Sequence, residues 1–245
     1  MNRRALILDE LGLLPLWVRR ERAHPPPAKA ERTAPGETAP VLTAADDRAS
    51  RIARMSWPEL RESVRTCRAC GLHAGRKQAV LGVGDEQADW LFVGEGPGAE
   101  EDARGEPFVG QAGRLLDNML AAIGLKRGSD VYIANTVKCR PPGNRAPEPS
   151  EAAQCEPYLL RQIALIQPRL IVALGKTAAS ILLQTDASLG SLRGRVYQFQ
   201  GIPLLVMYHP AYLLRTLADK AKSWEDLCQA RELMARLKAG ERVLN

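Results

Sequence analysis

Short apolar runs alternate with amphipathic stretches along most of the chain. The apolar runs predict strands, at 78–82, 90–93, 131–134, 169–174, 195–199 and 203–208. The amphipathic stretches predict five helices, which end at or span 66, 111–123, 151–166, 176–183 and 219–239. The first is predicted to begin at a cap at Ser56, and the third follows a cap at Ser150. Strands that alternate with helices are typical of a parallel sheet covered on both faces. We therefore predict an α/β fold, a three-layer α/β/α sandwich with a mainly parallel central sheet.

The first 50 residues differ in composition from the rest of the chain. Residues 1–23 place leucines and Trp17 among arginines and predict an amphipathic peptide, which either packs on its own domain or docks on a partner. Residues 24–50 are rich in Pro, Ala, Glu and Thr and predict a disordered linker, because they bury too little apolar surface to offset the entropy of ordering. Residues 51–245 then form the folded domain. Residues 1–17 resemble the N-terminal peptide of clamp-loader psi subunits, which implies a replication or repair protein as partner.

Charge and hydropathy narrow the cellular context. The formal net charge is +6 and the pI is about 9.2, which allows a polyanionic partner without requiring one. No apolar run approaches the ~20 residues that cross a bilayer. The N-terminal apolar stretch contains Asp9 and Glu10 and lacks a small-residue cleavage site, unlike a signal peptide. We therefore expect a cytoplasmic protein that does not contact the membrane.

A glycine-rich segment follows the predicted strand 90–93. It offers a carboxylate at Glu95, open backbone at Gly96 and Gly98, and an aromatic ring at Phe108. Ligands of open α/β sheets bind outside the carboxyl ends of the strands, where this segment lies. Its glycine spacing fits neither the dinucleotide nor the phosphate-loop pattern, and these groups suit a flat, polar, uncharged ring. A turn with no role beyond structure is the alternative.

Four of the five cysteines fall into a ligand-like pattern, Cys67-x-x-Cys70 followed by Cys139 and Cys155. Four thiolates from two segments can hold zinc or a [4Fe–4S] cluster, and spacing alone favours zinc. The fifth, Cys228, is predicted to be a small residue of the last helix.

Three further segments have a recognisable order and spacing. They are Glu95-Gly-Pro-Gly98 with Pro107-Phe-Val-Gly110, Asn135-x-x-Lys-Cys-Arg-Pro-Pro142, and His209-Pro-Ala-Tyr-Leu-Leu-Arg215. Together they resemble the family 4 uracil-DNA glycosylases, the iron–sulfur enzymes of bacteria and archaea, over roughly residues 56–237. The resemblance implies a uracil-DNA glycosylase fold, hydrolysis of the N-glycosyl bond of uracil in DNA, and a [4Fe–4S] cluster on Cys67, Cys70, Cys139 and Cys155.

The resemblance also implies roles for the residues around the base. An enzyme that acts on a base takes it out of the stack, and Phe108 would stack on the everted uracil. Asn135 would read the O4 and N3–H edge, with Gly96 or Gly98 near the ring. His209 would donate to uracil O2 as charge develops there, and Glu95 would face the sugar and the attacking water. The alternative for Phe108 is a core residue, although the flanking Pro107 and Gly110 place it in a loop, and without the resemblance His209 is equally a helix cap.

Contacts with DNA outside the base follow from the same segments. Tyr212 and Leu213 would form an apolar wedge that fills the hole left by the base, and Arg215 would reach a phosphate. Arg140 and Arg145 would add phosphate contacts beside the cluster. We expect a monomer that acts on single- and double-stranded uracil-containing DNA. The alternative is a non-catalytic iron–sulfur DNA-binding accessory of a DNA polymerase.

Overall fold

The computed structural model describes residues 44–241, and the side chains from Asp47 onward. The strands are β1 (Val83–Gly84), β2 (Trp90–Gly94), β3 (Val131–Asn135), β4 (Leu170–Leu174), β5 (Tyr197–Phe199) and β6 (Ile202–Met207). The helices are α1 (Ala44–Ile52), α2 (Trp57–Thr66), α3 (Ala99–Arg104), α4 (Gln111–Ala122), α5 (Pro149–Ile166), α6 (Lys176–Leu183), α7 (Leu189–Leu192), α8 (Pro210–Leu213) and α9 (Lys220–Lys238). Three short 3₁₀ turns, at Gly71–Ala74, Pro142–Asn144 and Leu217–Asp219, complete the described elements.

The strands form one six-stranded sheet in the order β1-β3-β2-β4-β6-β5. The four central strands run parallel, and the short edge strands β1 and β5 pair antiparallel with their neighbours. The carboxyl ends of the central strands therefore open on one edge of the sheet. The predicted fold class, an α/β fold with a mainly parallel sheet, is confirmed.

Side chains of the central strands alternate between two buried layers. In β2, Phe92 packs with α4 and α9 on one face, whereas Leu91 and Val93 pack with α5 and α6 on the other. All five residues of β2 are buried, as expected for a strand covered on both sides. A third, smaller apolar cluster lies among α1, α2 and α5.

Helix α1 corrects the C-terminal end of the predicted linker. Residues 44–50 were assigned to the disordered segment 24–50, yet they lie in this helix. The helix is held by Ile52, which is 1% exposed, and by Arg48, whose guanidinium lies 5.0 Å over the Tyr158 ring and donates to the Gln154 carbonyl at 3.0 Å. Burial of an apolar residue and these contacts outweigh the unfavourable composition. Residues 24–43 and the predicted amphipathic peptide 1–23 lie outside the described residues.

Two predicted boundaries are also wrong. Residues 78–82 form no strand, and pairing begins only at β1, where Gly84 lies so close to β3 that a Cβ would sit 2.2 Å from the Val131 carbonyl oxygen. Helix α5 begins at Pro149 and not after a cap at Ser150, because Glu151 accepts the backbone N–H of Glu148 at 2.8 Å and so closes the first turn earlier.

Within the described part of the chain, no helix has both the length and the hydropathy that crossing a bilayer requires.

The start of α4 leaves no room for a side chain at Gly113. A Cβ there would lie 1.7 Å from the carbonyl oxygen of Phe108. The loop that carries Phe108 therefore rests directly on the backbone of α4.

We predict that Gly113→Ala lowers the free energy of unfolding by about 1–3 kcal/mol, because the Phe108 backbone must move away. Gly190→Ala in α7 is the control, since a Cβ at Gly190 meets nothing within 4 Å. There the higher helix propensity of alanine should leave stability unchanged or raise it by about 0.5–1 kcal/mol. Urea unfolding of both variants measures the difference. Equal stabilities would show that Phe108 does not rest on Gly113.

Candidate active site

A cleft of about 470 Å³ opens at the carboxyl ends of the parallel strands. Its volume lies within the range of small-molecule sites. Strands β2 and β3 are paired so that Gly94 lies opposite Asn135, which brings the segments after both strands to this edge. The lining residues come from all three motif segments and include Glu95, Gly96, Gly98, Glu101, Phe108, Asn135, Arg145, His209, Tyr212 and Arg215. The structure thus brings together the four groups that the sequence assigned to the uracil and its sugar, namely Glu95, Phe108, Asn135 and His209.

Gly94 makes this convergence possible. A Cβ at this position would lie 2.5 Å from Asn135 Oδ1 and 2.7 Å from Phe108 Cζ. Any larger residue would therefore push the amide or the phenyl ring out of the cleft.

The Asn135 side chain is poised for a ligand. The residue is 2% exposed, and its buried Oδ1 has no hydrogen-bond partner among residues 47–241. Its backbone carbonyl accepts from Lys138 Nζ at 2.7 Å, which fixes the main chain beneath the side chain. A buried acceptor without a partner is unfavourable, and a ligand that donates to it would remove the penalty.

His209 caps α8 and is held in one tautomer. Its Nδ1 accepts the backbone N–H of Ala211 at 3.1 Å, so in the neutral ring the proton is on Nε2. Burial, together with the nearby positive charge of Arg215, lowers the pKa of His209 to about 4. At neutral pH the imidazole is therefore an uncharged N–H donor.

Phe108 has both of the environments considered for it. Its ring lines the cleft and lies 5.4 Å from the His209 ring in a stacked arrangement, while the residue is 6% exposed and belongs to the apolar core. Its backbone has a φ of 55°, a left-handed conformation that is uncommon for an aromatic residue.

Glu95, Gly96 and Gly98 form another wall of the cleft. The backbone of Glu95 is fixed, because its carbonyl accepts from Val137 N at 3.2 Å and also from the Thr136 hydroxyl. Its carboxylate makes no hydrogen bond or ion pair with another residue of the described chain, which leaves it available to a ligand or a water.

The predicted phosphate-binding arginines differ in their surroundings. Arg215 is exposed at the cleft, and its guanidinium pairs with no carboxylate among residues 47–241. Arg145 also lines the cleft, but it is paired with Glu151 at 2.7 Å and Glu148 at 3.4 Å. Arg140 lies outside the lining and donates to Asn144 Oδ1 at 2.7 Å. Arg215 is thus the one of the three that both lines the cleft and pairs with no carboxylate within the described chain.

The predicted wedge is wrong at Leu213. This residue is 1% exposed and belongs to the core, because the single turn of α8 points it inward. The exposed apolar residues of this segment are instead Leu214 and Leu217, at 39% and 63%. Tyr212 lines the cleft but is held in place, since it stacks on Tyr208 at 4.9 Å and its hydroxyl donates to Asp219 at 2.6 Å.

The four cysteines assigned to a cluster line one small cavity and form no disulfide. Several donors point at their sulfur atoms: Arg76 Nη1 lies 2.8 Å from Cys139 Sγ, and the Lys138 N–H lies 3.2 Å from Cys155 Sγ. Within residues 47–241, no three Cys, His, Asp or Glu side chains converge closely enough to hold a single metal ion. Burial raises the pKa of Cys155 to about 12, so binding of a metal to its thiolate would release a proton.

Glu101 is a residue of the cleft that the sequence reasoning did not assign. Its carboxylate accepts the backbone N–H groups of Gly98, Val109 and Gly110 at 3.0–3.2 Å. The available signal was its position in the first turn of a helix that follows a glycine cap, where a glutamate closes the cap.

The fold and the cleft together define an α/β protein that gathers an amide, an imidazole and an aromatic ring in one cleft at the ends of its parallel strands. The sequence profile of the uracil DNA glycosylase superfamily matches residues 81–228, and the chain belongs to this superfamily. This includes β2, β3, β4, β6 and the whole of the cleft described above.

Within the superfamily the chain is similar to proteins named type-4 uracil-DNA glycosylases, as the resemblance in the sequence predicted. The protein of Thermotoga maritima is 46% identical over 163 residues, 66% of this chain and 84% of that one. That of Archaeoglobus fulgidus is 44% identical over 167 residues, 65% of this chain and 83% of that one. That of Pyrobaculum aerophilum is 42% identical over 181 residues, 71% of this chain and 92% of that one.

We predict that the Cε1–H resonance of His209 stays constant from about pH 8 to pH 5 and moves only as the pH approaches 4. Arg215→Ala should raise the pKa of His209, because a nearby positive charge is removed, whereas Arg140→Ala should leave it unchanged. NMR titration measures all three, with His209→Asn to assign the signal. A midpoint near 6.5 in the wild type, or no response to Arg215→Ala, would contradict the buried neutral ring.

The same lowered pKa links His209 to stability. Its folded-state value of about 4 lies below the ordinary 6.5, so its contribution to stability is complete above pH 6.5 and is lost as the pH falls toward 4. The difference in unfolding free energy between the wild type and His209→Asn should therefore shift in favour of the variant over that window.

Proposed function

We propose that this protein is a uracil-DNA glycosylase, which everts uracil from DNA and hydrolyses its N-glycosyl bond to leave an abasic site. The observation that carries the proposal is the buried Oδ1 of Asn135, which has no partner in the described part of the chain and shares one cleft with the neutral imidazole of His209. Together they offer an acceptor, an uncharged donor and a confined space for one pyrimidine ring. The names of the related type-4 proteins support the same activity.

Selection of the base rests on Asn135. Its Oδ1 accepts from uracil N3–H and its amide N–H group donates to O4. Cytosine presents an acceptor at N3 and an amino group at C4, so both contacts become mismatched. A site built to hydrogen-bond a substrate rejects an analogue that leaves its buried polar groups unpaired.

Bond cleavage leaves negative charge on the uracil ring, and His209 stabilises this charge. The proton on Nε2 is available because Nδ1 is occupied by the Ala211 N–H. A preoriented donor to uracil O2 stabilises the charge where it develops, and such a donor is typically worth about 2.7–4 kcal/mol of barrier. Burial serves this step, since a low pKa keeps the ring an uncharged donor across the physiological range.

The sugar carries the complementary positive charge as the bond breaks. The Glu95 carboxylate, free of other partners in the described chain, would stabilise this charge and orient the attacking water. Phe108 would stack on the everted ring, a contact worth about 1–3 kcal/mol per base.

Contacts with the DNA backbone would come from the rim of the cleft. The unpaired charge of Arg215 supports a phosphate contact, and the exposure of Leu214 and Leu217 supports these two residues, in place of Leu213, as the apolar wedge. Three expectations from the sequence stay predictions. They are that the protein acts on both single- and double-stranded substrates, that it is a monomer, and that residues 1–23 bind a replication or repair protein.

Cys67, Cys70, Cys139 and Cys155 would hold a [4Fe–4S] cluster. The donor set supports this assignment: four free thiols line one cavity without converging on one point, and N–H donors approach two of the sulfur atoms. When bound, the cluster would supply a structural cross-link between the Cys67–Cys70 segment and the Cys139–Cys155 segment. Zinc on the same thiolates is the alternative that spacing alone favours.

We predict that the purified protein leaves alkali-labile sites in a uracil-containing oligonucleotide, read as strand scission. Asn135→Asp should gain cleavage at cytosine, because a protonated carboxyl can accept from the C4 amino group and donate to N3. His209→Asn should lower kcat by about 10²–10³-fold with little change in DNA binding.

An oligonucleotide with thymine in place of uracil is the control substrate. Wild-type protein that binds the uracil oligonucleotide but never cleaves it would favour the alternative, a non-catalytic DNA-binding accessory. Loss of all cleavage in Asn135→Asp would remove the proposed reading role of Asn135.

We predict that protein purified without oxygen contains iron and sulfide and absorbs visible light. Cys67→Ser should reduce the iron content and the absorbance, while Cys228→Ser should leave both unchanged, because Cys228 lies in α9 and not in the lining of the cavity. Colourless protein that contains zinc would replace the cluster with the zinc alternative.

A further inference from the structure

We propose that Glu101 and Arg127 are positioning residues that clamp the backbone on both sides of Phe108 and so preset its ring for the base. The inference deepens the proposed function and rests on it. Neither residue belongs to the three motif segments, and neither was assigned a role from the sequence.

The backbone at Phe108 needs an external constraint. A φ of 55° is unfavourable for a residue with a side chain, and such conformations persist only where the surroundings impose them. Released from its neighbours, this loop would relax toward an ordinary conformation and the ring would leave its place beside His209.

Arg127 holds the loop from the side away from the cleft. Its Nη1 donates to the carbonyl of Pro107 and its Nη2 to the carbonyl of Phe108, both at 2.8 Å. Its Nε donates to Asp117 Oδ1 at 2.9 Å, which orients the guanidinium, and its side chain is only 21% exposed. A planar fork suits two neighbouring carbonyls, and a lysine ammonium could not span them in the same way.

Glu101 holds the backbone N–H groups of the two residues after Phe108 from the cleft side. Its Oε1 accepts from Val109 N at 3.0 Å and from Gly110 N at 3.2 Å, and its Oε2 accepts from Gly98 N at 3.1 Å. One carboxylate therefore ties the Phe108 loop to the segment that carries Glu95. Because both oxygens already accept N–H groups, Glu101 is not free to act as a general base.

The two charges thus act on the same peptide group, the one that joins Phe108 to Val109. The carbonyl of Phe108 points to a cation, and the N–H of the following residue points to an anion. The ring is fixed 5.4 Å from His209 before any base arrives. A platform ordered in advance binds the base more tightly, because its ordering entropy is not lost on binding.

The expected kinetic signature is a change in KM. Stacking on Phe108 is present in both the bound state and the transition state, so loosening it weakens both equally. Arg127→Ala and Arg127→Lys should each raise KM for a single-stranded uracil oligonucleotide by about tenfold, with kcat within about threefold. Glu101→Gln, which keeps one acceptor oxygen, should give a smaller rise. Arg114→Ala in α4 and Glu232→Gln in α9 are the matched controls and should change neither constant, because both side chains are exposed.

A double-mutant cycle separates the clamp from a general loss of stability. If Arg127 acts through the Phe108 ring, Arg127→Ala added to Phe108→Ala should cause little further rise in KM. A full additional rise in that background, or an unchanged KM in Arg127→Ala, would overturn the inference. Should Arg127→Ala fail to fold, Asp117→Asn, which frees the guanidinium from its orienting carboxylate, serves for the same cycle.

A spectroscopic readout keeps the clamp testable apart from the activity. The Phe108 ring current acts on the His209 ring, so Arg127→Ala should move the His209 Cε1–H resonance of the free protein, and Arg114→Ala should not. An unmoved resonance overturns the clamp even if uracil is cleaved. A moved resonance in a protein without glycosylase activity supports the clamp and contradicts the proposed function.

Discussion

The missing side chain at Gly94 is the constraint on which the cleft depends. It ends the central strand β2, and its neighbours on either side are the Asn135 amide and the Phe108 ring. In a parallel sheet the carboxyl ends of adjacent strands meet, so functional groups compete there for the same space. A bare backbone between an amide and a phenyl ring lets both reach one flat ligand. In the proposed function, selection of a planar base therefore depends on packing at Gly94 as well as on hydrogen bonding.

Burial has opposite chemical consequences at the two ends of the cleft. At His209 it removes the positive charge and leaves a directed N–H donor. At Asn135 it leaves an acceptor to which no described residue donates, and this is costly until a ligand arrives. The neutral imidazole can stabilise negative charge that develops on a ligand. The unsatisfied acceptor favours the binding of a base that donates a hydrogen bond to it. Both effects follow mainly from the exclusion of water, and the positive charge of Arg215 adds to the effect on His209.

The sequence predicts the sheet well because buried parallel strands are continuous apolar runs, as at 90–93 and 169–174. It also predicts which groups share the cleft, since each follows a strand end. It fails where the outcome depends on packing between distant segments. Leu213 and Leu214 are the same residue type at adjacent positions. Only the turn of α8 determines that Leu213 is buried and Leu214 is exposed. Residues 44–50 carry a linker composition, yet contacts with α5, over a hundred positions away in sequence, make them helical.

The acidic run 100–102 is a short element in which the sequence likewise does not show the contacts that each residue makes with distant segments. As a pattern it indicates only a solvated negative surface, but its three members have different surroundings. Glu100 is exposed, Glu101 accepts three N–H groups at the cleft, and Asp102, 1% exposed, accepts the Lys77 N–H at 2.9 Å. The residue before Lys77 is Arg76, which donates to Cys139 Sγ. One turn and a half of helix thus ties the loop that holds Phe108 to the segment beside the cysteines. Because adjacent carboxylates on α3 make these two attachments, the cleft and the cysteine site share a support, and damage to one is expected to reach the other through α3.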